Sequence, residues 1–192
     1  MVSPAISNLV LMLVMMQVSR KLDFEDPNIL LGVRIAYGVG TTLTLLIYLF
    51  VRQTIIAKND LNTLKYLQPP NAMAGETEAK LVTTTVKDYD LQQIHQAIKG
   101  VFTGLAMMGF MHLYMGYANP LVMQSISPVK SALESNLVKI HLYGSKATGD
   151  LKRPFKAPEG FLSALNGASS AKTDKASIEK AETAGAGGIK EE

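Results

Sequence analysis

The chain has 192 residues, no cysteine and no tryptophan, and only three histidines. Without cysteine there is no disulfide framework and no thiolate metal site. His95, His112 and His141 show no zinc-ligand spacing of the His-Glu-x-x-His kind, and no Gly-x-Ser-x-Gly nucleophile motif occurs. The Gly-Val-Gly at 38–40 lies inside an apolar run, so it is no nucleotide loop. Asp88 and Asp90 in VKDYDL read more simply as helix caps than as a pair of catalytic carboxylates. The residues therefore predict neither an enzyme nor a bound cofactor or metal. Charge is scarce as well: 18% of the residues are Asp, Glu, Lys or Arg, with a net charge of +3.

Apolar residues are plentiful, at 47% of the chain, although the last thirty or so are plainly polar. The apolar content is therefore concentrated elsewhere, in three segments. PAISNLVLMLVMMQVS, residues 4–19, carries no charge but falls short of the roughly 20 residues a bilayer core requires. It has no basic region before it and no small-residue cleavage site after it, which argues against a signal peptide. NILLGVRIAYGVGTTLTLLIYLFV, residues 28–51, is long enough to cross with some tilt. A third runs over 97–118, continuing a helix from about Asp90 in which Leu91, Ile94, Ile98 and Val101 keep helical spacing. The expectation is an all-α integral membrane protein with three transmembrane helices, the first one short. Its membrane domain is residues 1–143, followed by a basic extended segment, 144–162, and a disordered tail, 163–192. Within residues 52–96, KNDLNTLKYL reads as a short amphipathic helix and QPPNAMAGE as a turn-rich break. Asn119-Pro120 and Ser127-Pro128 each place a cap before a proline, predicting short interfacial helices over 120–126 and 128–138.

The second segment carries a pattern. Arg34, Tyr37, Thr41, Thr44 and Tyr48 share one helical face, a polar seam along a membrane helix. Gly32, Ala36 and Gly40 form a small-residue ridge on another, with Gly100-x-x-x-Gly104 as a mate. Each seam residue also has a plainer reading. Arg34 can snorkel, threonines bond back to their own helix, and Tyr48 suits an aromatic belt. Together with nearby His112 they predict a hydrophilic groove. In LAMMGFMHLYMGYANPLVMQS, Met108, Met111 and Met115 share a face, as do Met12 and Met15 in the first segment. Unbranched methionines suit a surface that accepts varied apolar clients, or else simply fill gaps between helices.

AKNDLNTLKY, TTVKDYDL, TGLAMMGFMHLYMGYANPLVMQSISPVKSALESNLVKIHLYG and ATGDLKRPFKAP resemble a small fungal family named for inorganic phosphate transport, and also described as SRP-independent targeting proteins. The resemblance covers nearly the whole chain and is loosest over 4–51 and in the last thirty residues. It implies a multi-pass endoplasmic-reticulum membrane protein that targets and inserts membrane proteins without the signal recognition particle. The implied partners are the ribosome, the Sec translocon, nascent membrane-protein clients and other SRP-independent targeting components. An insertase-like factor of this kind makes and breaks no bond, so the family contributes no catalytic residues.

Basic residues also bear on topology. With three spans, the first loop (Arg20, Lys21) shares a compartment with Lys130, Lys139, Lys146, Lys152, Arg153 and Lys156. Only Arg52, Lys58 and Lys65 stand near the start of the second loop. The positive-inside rule then predicts a cytosolic C-terminus and a lumenal N-terminus. Lys152, Arg153 and Lys156 around Phe155 form a candidate contact with ribosomal RNA phosphates or with the lipid bilayer. Two other readings compete. In one, a phosphate transporter or its regulator uses Arg34 and His112 as anion ligands; the lack of an internal repeat speaks against it. In the other, the chain is a passive scaffold in a translocon assembly.

Overall fold

The computed structural model describes residues 4–68 and 80–155. Lys156, the tail 163–192 and most of the QPPNAMAGE break lie outside the described residues. The order of elements is α1 (Pro4–Lys21), α2 (Pro27–Lys58), β1 (Thr63–Gln68), β2 (Lys80–Thr85), α3 (Val86–Gly109), a π-turn (Phe110–Tyr114), α4 (Asn119–Glu134), α5 (Asn136–His141) and a 3-10 turn (Gly149–Leu151). The chain divides into two compact units. One holds residues through Ala57 and Leu91–Gly144; the other holds Lys58–Asp90 and the chain from Ser145 onward.

In the first unit, α2 continues seven residues past the apolar run, to Lys58. Its 32 residues make a rod about 48 Å long. It is the one described helix both long and apolar enough to cross a membrane. Its apolar window is only 17% buried within the protein, unlike the core helix of a soluble domain. Leu31, Ile35, Val39, Leu43, Leu46, Leu49 and Phe50 stand exposed along it. α1 is apolar on nearly every side, with Ile6, Leu9, Val10, Met12, Leu13, Val14, Met16 and Val18 all exposed. It has 18 residues, however, and ends in Ser-Arg-Lys. α3 opens with the polar sequence VKDYDLQQIHQ, then passes into the π-turn and stops, Gly116 adopting φ +75°. The helical part of the third segment thus ends before the expected Ala118.

The interfacial helices differ from expectation. α4 runs straight through Pro128, so residues 119–134 form one helix and not two. Proline lacks the N–H for the carbonyl one turn back and usually breaks a helix. Here the Ser125 and Ser127 hydroxyls donate to the carbonyls of Val122 and Met123, supplementing the helix beside the defect. The break comes instead at Ser135, whose backbone is extended (ψ 148°) and whose hydroxyl accepts from Val138 N–H to cap α5.

Polar contacts fix the directions of these helices. Ser19 Oγ donates to Asn119 Oδ1 at 2.7 Å, and Lys130 Nζ donates to Asn8 Oδ1, so α1 and α4 are antiparallel. Lys130 also pairs with Glu134 at 2.7 Å. Arg34 Nε meets His112 Nε2 at 3.0 Å, placing the start of α2 beside the end of α3. Leu121, Val122, Ser125 and Ala132 are all buried, which makes α4 the inner helix of the unit.

The second unit corrects the sequence reading outright. KNDLNTLKYL is not a helix: Thr63–Gln68 is a strand, antiparallel to Lys80–Thr85, with Leu64 opposite Thr84 and Tyr66 opposite Val82. Six residues are too few to separate the two periods, and the β-branched run Val82–Thr85 supplies the pairing partner that favours the strand. β2 leads directly into α3 through a side-chain N-cap. Asp88 N–H donates to Thr85 Oγ1 at 3.1 Å, while the Thr85 hydroxyl donates to Asp88 Oδ2 at 2.6 Å. Asp88 is thus a capping residue, whereas Asp90 does something else. Its carboxylate, with a side chain 1% exposed, accepts two bonds from Arg153, Nε at 2.7 Å and Nη2 at 2.6 Å. Tyr89 lies between Tyr66 and Phe155, both ring centroids 5.6 Å away, and its hydroxyl accepts from Phe155 N–H at 2.8 Å. Burial pushes the Tyr89 hydroxyl from 10.0 up to about 12, the hydrogen bond from Phe155 only partly opposing it.

Candidate functional site

The polar seam of α2 faces a cavity inside the first unit. Tyr37, Thr41, Thr44 and Tyr48 line one wall of a partly open space of about 240 Å³. Ala97, Gly100, Val101, Gly104 and Leu105 of α3 form the second wall, and Gln124, Pro128 and Ser131 of α4 the third. The spacing of 37, 41, 44 and 48 keeps all four seam residues on one side of an α-helix. Gly100 and Gly104 carry no side chain on this wall, and a Cβ at either would meet open space, so the two glycines widen the cavity between Ala97, Val101 and Leu105. The third wall escaped the sequence reading, although its signal was present. Gln124, Pro128 and Ser131 have helical spacing, visible once the helix is carried through Pro128 instead of being started at it.

The lining consists of hydroxyls, one amide and apolar carbon, with no charged side chain among the described lining residues. Thr44, 1% exposed, donates its hydroxyl to the Gly40 carbonyl at 2.9 Å. This is the backbone-directed role common for threonine in helices, and Thr42, Thr54 and Thr103 do the same. Thr41 is buried at 9%.

Arg34 and His112 do not line the cavity. They meet each other one helical turn beyond Tyr37, both at the surface. The bonding fixes the imidazole tautomer: Nε2 accepts from Arg34, so Nδ1 carries the proton that it donates to the Tyr117 carbonyl at 3.0 Å.

The small-residue ridge packs differently from expectation. A Cβ on Gly40 would collide with the carbonyl oxygen of Ser125, so Gly40 is where α4 closes on α2, backbone to backbone. Gly32, Gly100 and Gly104 have nothing within 4 Å of a Cβ position. Gly100 and Gly104 are thus cavity walls and not the mate of the ridge, and Ala36 is exposed. The methionines divide. Met15 and Met108 are buried at 7% and 5%, filling gaps between helices and not facing clients. Met12 and Met115 are exposed and Met111 is half-buried. The π-turn explains part of this, because its wider turn takes Met111 and Met115 out of the α-helical register that aligns them with Met108. Of the two described members of the Lys152, Arg153 and Lys156 set, Lys152 is exposed and Arg153 is not. Arg153 is consumed by Asp90 and lies 5.9 Å over the Phe155 ring, so it is not a free contact for RNA or lipid.

Residues 2–189 match the family described as Phosphate transport (Pho88). The chain is 59% identical to SRP-independent targeting protein 3 of Saccharomyces cerevisiae, over 99% of this chain and 100% of that one. It is 36% identical to the SRP-independent targeting protein 3 homolog of Schizosaccharomyces pombe, over 94% of this chain and 91% of that one. A further Schizosaccharomyces pombe protein, described as uncharacterized, is 44% identical over 88% of this chain and 84% of its own. No solved structure matches. By the extent of the first match and the identity of the full-length relatives, the chain belongs to the Pho88 phosphate transport family.

Proposed function

We propose that this protein targets membrane proteins to the endoplasmic reticulum independently of the signal recognition particle, and that it assists their insertion as an insertase-like, multi-pass membrane factor. The observation that carries the reading is the uncharged, hydroxyl-lined cavity against α2, set in a unit whose outer surface is apolar. Inserting a helix requires carrying its polar flank past hydrocarbon, where each unsatisfied backbone or side-chain polar group costs several kcal/mol. A cavity holding a few waters and hydrogen-bond partners partway across divides that cost into smaller steps. The exposed Met12 and Met115 offer adaptable apolar contact on the same unit. The activity requires no catalytic residue, only a site that binds weakly enough to release. The names of the yeast relatives support the targeting role; the ribosome, the Sec translocon and nascent clients are the partners this role requires.

Phosphate carriage fits the site less well. An anion entering the cavity would meet no cationic side chain among its lining residues, and desolvating a charge without a partner is prohibitive.

The test is insertion of a client into vesicles containing the purified protein, with photocrosslinkers at Thr41 and Gln124. Client crosslinks from both positions are expected. Filling the cavity by Gly104→Leu, where a side chain meets open space, should slow insertion several-fold without lowering thermal stability. Normal insertion by this variant, with no crosslink from either position, would leave a scaffold as the better reading.

A further inference from the structure

The contacts of α4 set its depth relative to α2, and the outcome differs from an interfacial helix. Gly40 and Ser125 touch backbone to backbone. Gly40 lies near the middle of the apolar run 28–51, about 18 Å from one end and 16 Å from the other at 1.5 Å per residue. Half of a typical hydrocarbon core is roughly 15 Å. The buried Ser125 is therefore at the level of the bilayer midplane, and α4 extends from it in both directions.

Six residues toward the start of α4 is Asn119, and six residues toward the start of α2 is Arg34. Both are therefore about 9 Å from the midplane on the same side. Asn119 is bonded to Ser19 and Arg34 to His112. These four side chains, with the Tyr117 carbonyl that receives the His112 proton, make a polar layer across all four helices. It stands some 6 Å inside the level where a typical leaflet ends. Beside it the chain leaves helical structure at 115–118, and Leu113 and Tyr114 are 82% and 81% exposed. Backbone without helical hydrogen bonds is not tolerated against lipid hydrocarbon. The aromatic residues Phe110 and Tyr114, stacked at 5.2 Å, and Tyr117 suit a headgroup boundary.

We infer that α4 is a fourth membrane-embedded helix at the centre of the first unit, and that the Ser19, Arg34, His112 and Asn119 layer is its contact surface for the lipid headgroups of one leaflet, drawn inward by several ångströms. This rests on the membrane reading of the preceding section but not on insertase activity. It also revises the sidedness expected from three spans. With α1 antiparallel to α4, and α4 returning across the bilayer, the start of α1 and the end of α4 face one side. The acidic turn of Asp23, Glu25 and Asp26 faces the other. The positive-inside rule assigns the side of Arg52 and Lys139 to the cytosol, so the N-terminal end is cytosolic and not lumenal. Thinning confined to the opposite leaflet shortens the path a translocated flank must cover beyond the cavity.

The absence of cysteine makes the test direct, because single cysteines label without competition. In sealed vesicles of a single phosphatidylcholine, Ala57→Cys and Tyr143→Cys should react with an impermeant maleimide on the same side, and Glu25→Cys on the other. Labelling of position 143 together with position 25 would overturn the fourth crossing. A spin label at Tyr114→Cys should report headgroup depth and contact with aqueous relaxant, while one at Leu46→Cys reports hydrocarbon. Equal depths at the two positions would overturn the drawn-in leaflet. Client insertion is not measured in either arm, so failure here is distinguishable from failure of the functional reading.

Discussion

Arg153→Gln is the sharpest perturbation the structure offers in the second unit. The guanidinium donates twice to Asp90, at 2.7 and 2.6 Å, and the two side chains are 11% and 1% exposed. Removing the arginine leaves a buried carboxylate whose charge has lost its bidentate partner. For buried pairs such a break costs about 3–5 kcal/mol, because desolvation of the remaining ion is no longer offset. The lower figure already means more than a hundredfold increase in the opening equilibrium. Loss of contact with Phe155 adds to it. Hydrogen exchange of the reconstituted protein, followed over 63–68 and 80–90, reads this opening directly, and protection in β1 and β2 should collapse in Arg153→Gln. Asp90→Asn should recover part of the loss when combined with Arg153→Gln, since neither residue of that pair is charged. Lys152→Glu, one residue away and exposed, should leave protection unchanged and serve as the clean probe of ribosome or lipid binding. Protection in Arg153→Gln equal to that of the parent would refute the reasoning and return Arg153 to the set of free basic contacts.

Two more outcomes follow from single contacts. Gly40→Ala pushes a methyl into the Ser125 carbonyl and should destabilise the first unit by about 1–3 kcal/mol, as overpacking does; Gly32→Ala, with open space around it, should leave the melting temperature in detergent unchanged. Because Tyr89 holds its proton up to about 12 in the folded chain against 10.0 ordinarily, the unfolded state loses its proton first, and stability falls as pH rises through that window. Phenolate absorbance of the parent minus that of Tyr89→Phe should show a step well above pH 10, and a difference step at the ordinary tyrosine value would count against the buried hydroxyl.

What the sequence revealed depended on the range of the interaction. The apolar runs located α1 and α2 because an exposed apolar helix announces itself by composition and length alone. The seam of Tyr37, Thr41, Thr44 and Tyr48 was legible because a helix converts spacing into a face, and those four residues share a cavity wall. The strand at 63–68 was not legible, since six residues fit either period and its partner lies beyond the break after Gln68. Arg153 looked like part of a basic surface because its partner is 63 residues away, and no local pattern announces a bidentate pair. The ridge at Gly32, Ala36 and Gly40 was real only at Gly40, and its mate was a serine carbonyl instead of another glycine. Small residues permit close approach without specifying what approaches. Pro128 misled for a related reason: its local preference for a helix start yielded to the packing of α4.

The threonines of α2 have a consequence for what the cavity can welcome. Thr44 gives its only proton to the Gly40 carbonyl, so it turns lone pairs alone toward the cavity. Across from it, Pro128 has no N–H, and the Gln124 carbonyl one turn back loses its usual helical donor. These two groups add acceptors to a lining that also carries the hydroxyls of Tyr37, Thr41, Tyr48 and Ser131. A visiting segment is held best where it brings protons of its own, such as peptide N–H groups not yet paired into a helix. As the visitor winds into a helix those protons turn inward to its own carbonyls, and the grip loosens without any movement of the walls. If the proposed client occupies this cavity, its own folding would then weaken its hold there.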